Sequence, residues 1–190
     1  MKKKNLLYVS ALCACMSFSF MGCSDDDDKQ EIPSLPEQIS LNGVYVLNSG
    51  NKGNNNSSLS FYDFETKKVE ADIFKKVNGR GLGDTANDIL VYGSKAYIAV
   101  TNSNTIEVTD LQGKSLKQIV SDGDPLQPRF FSCYNGKVYV SLYGGYVARL
   151  DTTSLTIESK VKVGRNPEQM AIANNKLYVA NSGGADFNTA

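Results

Sequence analysis

The sequence predicts an all-β chain, a β-propeller of four-stranded antiparallel blades, and three observations predict it. The first is self-similarity: "PEQISLNGVYVLNSG" near the front returns as "PEQMAIANNKLYVANSGG" near the end. The second is a shared frame of apolar strand end, small polar turn and tyrosine-centred strand. It occurs four times, around Tyr45, Tyr97, Tyr139 and Tyr178, at spacings of 52, 42 and 39 residues. The third is a landmark that follows in each of the first three copies, where a strand ends in Asp63, Asp110 or Asp151, turns, and starts another strand. Each unit is therefore four short strands, A to D. Antiparallel units of about 40 residues, stacked face to face, make a propeller. A β-sandwich with similar hairpins would not repeat both landmarks in the same order.

Residues 1–22 precede the fold. Lys2, Lys3 and Lys4 lead into a short apolar run from Leu6 to Met21, the pattern of a secretory signal peptide. The run is short for a transmembrane span, which takes about 20 apolar residues. Removing these residues leaves 17 cationic against 20 anionic side chains, a mature charge of −3. Residues 23–35 form a tether. Ser24 and the acidic run Asp25 to Asp28 offer little apolar surface to bury and repel one another. Adjacent carboxylates without spacing do not make a calcium loop. Beyond Cys23 the mature chain keeps only Cys133, so no internal disulfide is expected.

Residues 36–190 carry the blades. Asn42-Gly43 and Asn135-Gly136 are the residues of a type I′ hairpin, which takes positive φ at both positions. Adjacent apolar residues such as Val138-Tyr139-Val140 suit strands covered on both faces. Pro36 and Pro167 start innermost strands in blades one and four. From Pro167 to Ala190 there are 24 residues, enough for strands A and B of blade four. Three and a half blades are therefore expected, an open arc belonging to a longer protein of about seven or eight blades.

"VGRNPEQMAIANNKLYVANSGG" and "LDTTSLTIESKVKVG" resemble the YVTN-type repeat of YncE-like propellers, whose blades end in glycine, restart on proline and carry a "lYVaN" strand. The resemblance covers residues 36–190 and is most specific in blades three and four. Blades one and two depart from it: "NSGNKGNNNSS" and "NGRGLGDTAN" lengthen two loops, and Ala86 stands where later blades have Pro128 and Pro167. The "FMGC" stretch resembles a bacterial lipobox, which implies lipidation at Cys23, with Phe20 in place of the usual leucine. The acidic run after it resembles the export signal of Bacteroidota surface lipoproteins. Together these imply a protein lipid-anchored in the outer membrane and facing the exterior.

In a meander of this kind the B–C and D–A loops share one end of the blades, and here they are the long ones. Long loops on a rigid scaffold carry binding. The ligand-face candidates are therefore Asn48, Arg80, Asn102, Arg129, Tyr143 and Arg165. Each is also an ordinary loop residue or turn-former. The chain has no histidine, hence no Ser–His–Asp arrangement and no histidine metal ligand. There is no basic excess to bind nucleic acid. No enzyme activity, cofactor or metal is expected. The leading reading is a binding module, and the resemblance to surface corrinoid-capturing propellers implies a small-molecule nutrient passed to a TonB-dependent transporter. A glycan- or protein-binding adhesion propeller is the alternative, and a lactonase- or dehydrogenase-like propeller enzyme a further one.

Overall fold

The computed structural model describes residues 42–121 and 123–184. The signal peptide, Cys23, the acidic run and Pro36 lie outside the described residues. Blade one contributes β1 (Gly43–Asn48), β2 (Ser58–Asp63) and β3 (Val69–Glu70) in that spatial order, followed by a helix, α1 (Ile73–Asn78). Blade two is β4 (Ala86–Tyr92), β5 (Lys95–Val100), β6 (Thr105–Asp110) and β7 (Ser115–Ile119). Blade three is β8 (Pro128–Tyr134), β9 (Lys137–Leu142), β10 (Tyr146–Asp151) and β11 (Thr156–Lys162). Blade four shows β12 (Pro167–Ala173) and β13 (Lys176–Asn181). Each sheet is an antiparallel meander in chain order, and the blade-like arrangement does not close.

The two sequence landmarks acquire physical causes. Asp63, Asp110 and Asp151 end their C strands because each carboxylate closes the next turn. Asp63 Oδ1 accepts from the N–H groups of Glu65 and Thr66 at 2.8 and 2.7 Å. Asp110 Oδ1 does the same for Gln112 and Lys114, and Asp151 Oδ1 for Thr153 and Ser154. Two of the strand-B tyrosines pack between blades: the Tyr45 hydroxyl donates to the Leu111 carbonyl of blade two, and Tyr97 is 1% exposed. Burial, with Asp110 nearby, pushes the Tyr45 phenol up to about 12.

Strand β5 shows why the middle blades lack strict polar alternation. Its Ile98 and Val100 face a core with Leu59, Phe74 and Leu82 between blades one and two. Its Tyr97 and Ala99 face a second core with Phe131, Val138 and Val140 between blades two and three. A strand buried on both faces reads as a near-continuous apolar run and not as an alternating one. Full burial of Ile98 or Val100 stabilises by about 1.5–3 kcal/mol each. Cys133, on β8, packs half-buried against the second core, and burial raises its thiol pKa.

Two expectations require correction. Asn135 and Gly136 do take positive φ, 47° and 76°, but Gly43 does not. Gly43 lies inside β1 opposite Asp63, and a Cβ there would come within 2.3 Å of Phe61 Cζ and of the Tyr62 carbonyl oxygen. Close packing, not turn geometry, explains that glycine. The long connection between blades one and two is also not all loop. Asp72 caps the first turn of α1, Gly79 at φ 68° terminates it, and Ile73 and Phe74 are its buried face. The helix docks on blade two through Asn78, which donates to the Gly113 carbonyl and accepts from the Ser115 N–H at 2.8 and 2.9 Å.

Candidate functional site

The innermost strands β4, β8 and β12 pack side by side along the inner edge of the arc. Each enters that edge in the same way. The residue before the strand has positive φ: Thr85 at 57°, Gln127 at 43°, Asn166 at 50°. Its carbonyl accepts from the N–H that follows strand B of the same blade, Thr101, Tyr143 and Ser182 respectively, at 2.9, 3.1 and 3.0 Å. A register shift then opens at the start of each strand. Left-handed backbone at a non-glycine residue costs on the order of 1–3 kcal/mol, most for a β-branched residue such as Thr85. Three recurrences at one place show that this cost is met by the local bonding.

The consequence is a row of side chains. The second residue of each of these strands is Asn87, Arg129 and Glu168, and the three bond to one another across three blades. Asn87 Nδ2 donates to the Arg129 carbonyl at 2.7 Å, and Arg129 Nη1 donates to Asn87 Oδ1 at 2.6 Å. Arg129 Nε and Nη2 both donate to Glu168 Oε2, at 3.2 and 3.1 Å. The Tyr143 hydroxyl donates to Glu168 Oε1 at 2.9 Å, and its ring lies under the guanidinium with 4.4 Å from Cζ to the centroid. Phe130 flanks the same guanidinium at 5.4 Å. Arg129 and Glu168 side chains are 19% and 18% exposed. The Tyr143 phenol is raised above its ordinary pKa, first by burial and then by the bond to Glu168. This is a pre-organised, partly desolvated polar surface. Ion pairs and hydrogen bonds there are stronger than in open water.

Beside it the two lengthened loops are knitted together. Asp84 Oδ2 accepts from the Gly53 N–H at 2.8 Å, and Ser57 and Gly83 form a bridge. Asn102 joins this cluster, its Nδ2 donating to Thr85 Oγ1 at 2.9 Å. On the inner edge, the Asp88 carboxylate accepts from the Phe131 N–H at 2.7 Å, and burial raises its pKa.

Of the six residues selected from sequence, the structure brings Arg129 and Tyr143 into one site, with Asn102 adjoining through Thr85. Arg165 is exposed, immediately before Asn166, and its carbonyl accepts from the Gly183 N–H at 3.2 Å. Asn48 bonds within its own blade, to the hydroxyls of Ser58 and Ser60 at 3.1 and 3.2 Å. Arg80 is held elsewhere, by the buried carboxylate of Glu107 at 2.9 Å and over the Phe74 ring at 4.8 Å. Asn87 and Glu168 were not anticipated. Their signal is the repeat register itself: both follow directly on the aligned Ala86 and Pro167.

Fold and site together define a β-propeller-like scaffold with a polar row along its inner edge. Over residues 42–186 the sequence matches the profile of DUF5074, a domain of unknown function, and the chain belongs to that family. No curated protein matches it. Among solved structures it is similar to the hydrazine synthase of Kuenenia stuttgartiensis, with 20% identity and a TM-score of 0.51 over 62% of this chain and 33% of that one. It is similar to the computationally designed Ika8 protein, with 12% identity and a TM-score of 0.57 over 76% of this chain and 42% of that one. A functionally unknown protein from Desulfotomaculum acetoxidans gives 15% identity and a TM-score of 0.54 over 72% and 45%. The chain thus spans less than half the length of each. At such identities the likeness is one of fold alone.

Proposed function

We propose that this chain is a non-catalytic binding module, anchored by lipid at Cys23 to the outer membrane and facing the exterior. It captures a small-molecule nutrient such as a corrinoid and hands it to a TonB-dependent transporter. The observation that carries the binding role is the convergence of Asn87, Arg129 and Glu168 from three blades, backed by Tyr143. A row fixed by mutual hydrogen bonds needs little further ordering on binding, and that saved entropy is available as affinity. The "FMGC" stretch and the acidic run after it support the surface location.

Calorimetry of the full chain with cyanocobalamin tests the ligand. Saturable binding in the wild type, weakened about tenfold or more in Arg129→Met, is expected, since a lost hydrogen bond to a charged group is worth roughly 1.5–3 kcal/mol. Absence of heat and of any spectral change in the wild type overturns the corrinoid reading. For the anchor, Cys23→Ala moves the protein from membranes to the soluble fraction, because stable anchoring takes two acyl chains or an equivalent second signal. Retention of the variant on detergent-free membranes excludes lipidation there.

A further inference from the structure

We infer that the Asn87–Arg129–Glu168 row is a recognition site for an uncharged primary carboxamide on the ligand, and that it discriminates against anions. The inference rests on the binding role proposed above and assigns the chemical group that is read.

The first ground is charge. A lone guanidinium in a binding face would attract carboxylates and phosphates, but Arg129 already has its counter-ion. Glu168 takes it on two N–H groups, at 3.2 and 3.1 Å. The surroundings do not restore a positive field: the carboxylates of Asp84 and Asp88 stand at the entry of β4, against the exposed Arg165 before β12. An incoming anion would have to displace a partly buried carboxylate of equal charge and shed its own hydration, with no net gain in pairing.

The second ground is hydrogen-bond arithmetic. A guanidinium has five N–H donors. Among the described residues, Arg129 spends three: Nε and one on Nη2 to Glu168, and one on Nη1 to Asn87. A carboxylate offers about four acceptor positions. Glu168 uses three of them, two on Oε2 for Arg129 and one on Oε1 for Tyr143. By this count two donors remain on the guanidinium and one acceptor position on the carboxylate it is bonded to. The complementary group carries a carbonyl oxygen next to an N–H, the outline of a primary carboxamide. A carboxylate or phosphate satisfies the donors and leaves Glu168 facing a like charge. The rings of Tyr143 and Phe130 against the guanidinium fix its plane, so the remaining N–H groups have a set direction.

The third ground is that the row is presented by design of the repeat. The positive-φ residue, its captured carbonyl and the register shift recur in all three blades and set each side chain two residues later on the inner edge. The same positive-φ step in blades two, three and four singles out those positions as candidates for ligand contact.

The experiment is an amide chemical-shift titration of the full chain with propionamide, sodium acetate and inorganic phosphate at constant ionic strength. Propionamide is expected to move the backbone N–H signals of residues 85–88, 130–131, 143 and 168–170 saturably, while acetate and phosphate leave them in place. In Glu168→Gln the preference inverts: propionamide affinity drops about tenfold and phosphate begins to shift the same signals, because the guanidinium has lost its counter-ion. Arg129→Met abolishes both responses. Unchanged signals from the β5 core confirm that each variant is folded, and if a variant does not fold the wild-type ranking decides alone. Acetate or phosphate binding the wild type as well as propionamide does, no response to propionamide, or a propionamide response that survives Arg129→Met, overturns the inference. Cyanocobalamin binding with no propionamide response strikes this inference and spares the proposed function. The reverse outcome spares the inference and strikes only the corrinoid.

Discussion

Arg80 is the residue on which loop position and structure diverge most, so its removal is worth following through. Glu107 on β6 is fully buried, and its Oε1 accepts from Arg80 Nη2 at 2.9 Å and from the Ser115 hydroxyl. Its Oε2 accepts from Gln118 Nε2 at 3.1 Å. Arg80→Met leaves a buried carboxylate short of its cation. Stripping one partner from a buried pair costs about 3–5 kcal/mol. Arg80 itself is 41% exposed, so water replaces part of what is lost. Ser115 and Gln118 remain, which lowers the cost to about 2 kcal/mol, near that of one charge-assisted hydrogen bond. The contact with the Phe74 ring adds about 0.5–1 kcal/mol. A loss of about 2–3 kcal/mol lowers the Tm of a domain this size by roughly 5–10 °C. Calorimetric melts of Arg80→Met, Glu107→Met and the double variant measure it. The double variant is expected to melt above the sum of the single losses, because removing both partners leaves no stranded charge. Ligand binding is expected to be untouched in Arg80→Met. Strict additivity, or a melt equal to wild type, refutes the buried-pair reasoning; a binding defect in a fully folded variant returns Arg80 to the ligand face.

The other predictions concern the landmarks and the outer faces. Tyr45→Phe is expected to cost about 1 kcal/mol by losing the bond to the Leu111 carbonyl, whereas Tyr97→Phe is neutral or stabilising, because its buried hydroxyl has no partner among the described residues; urea midpoints compare them. Lys137 and the Ser154 N–H hold the Asp151 pKa below the carboxylate range, so Asp151 contributes stability at pH values above the unfolded carboxylate pKa, and the contribution fades as pH falls through the folded pKa. The urea midpoints of wild type and Asp151→Asn should therefore differ at pH 7 and draw together toward pH 2. Val161 and Tyr178 are 62% and 53% exposed on the blade three and four side, so residues 24–190 expressed alone are expected to self-associate, and Val161→Glu with Tyr178→Glu should shift the sedimentation profile toward monomer.

Most of the scaffold was legible because its signals are local. The Asp63, Asp110 and Asp151 turns depend on a carboxylate and the N–H groups two to four residues on, and such a turn reads the same from sequence as from coordinates. The short helix α1 was missed because it lies in a blade connection, where the repeat supplies no template, although Asp72 and Gly79 are ordinary cap residues. Gly43 was misread because its cause is not local: Phe61, eighteen residues away, fills the space a side chain would need.

The site divides along the same line. Loop membership selected Arg80 and Arg129 equally, since both are arginines near long D–A connections. What separates them is the partner across the blade interface. Arg80 meets a carboxylate on an outer strand of the next blade, where burial turns it into a structural clamp. Arg129 sits at the second position of an innermost strand and meets the same position of the blades on either side. In a repeat protein, equivalent positions of neighbouring units become spatial neighbours. The informative sequence comparison therefore runs down a column of the repeat, Asn87, Arg129, Glu168, and not along a loop. Read in that direction, an amide, a guanidinium and a carboxylate form a hydrogen-bonded series with no net charge. The ligand that suits them is one that matches donors and acceptors in turn.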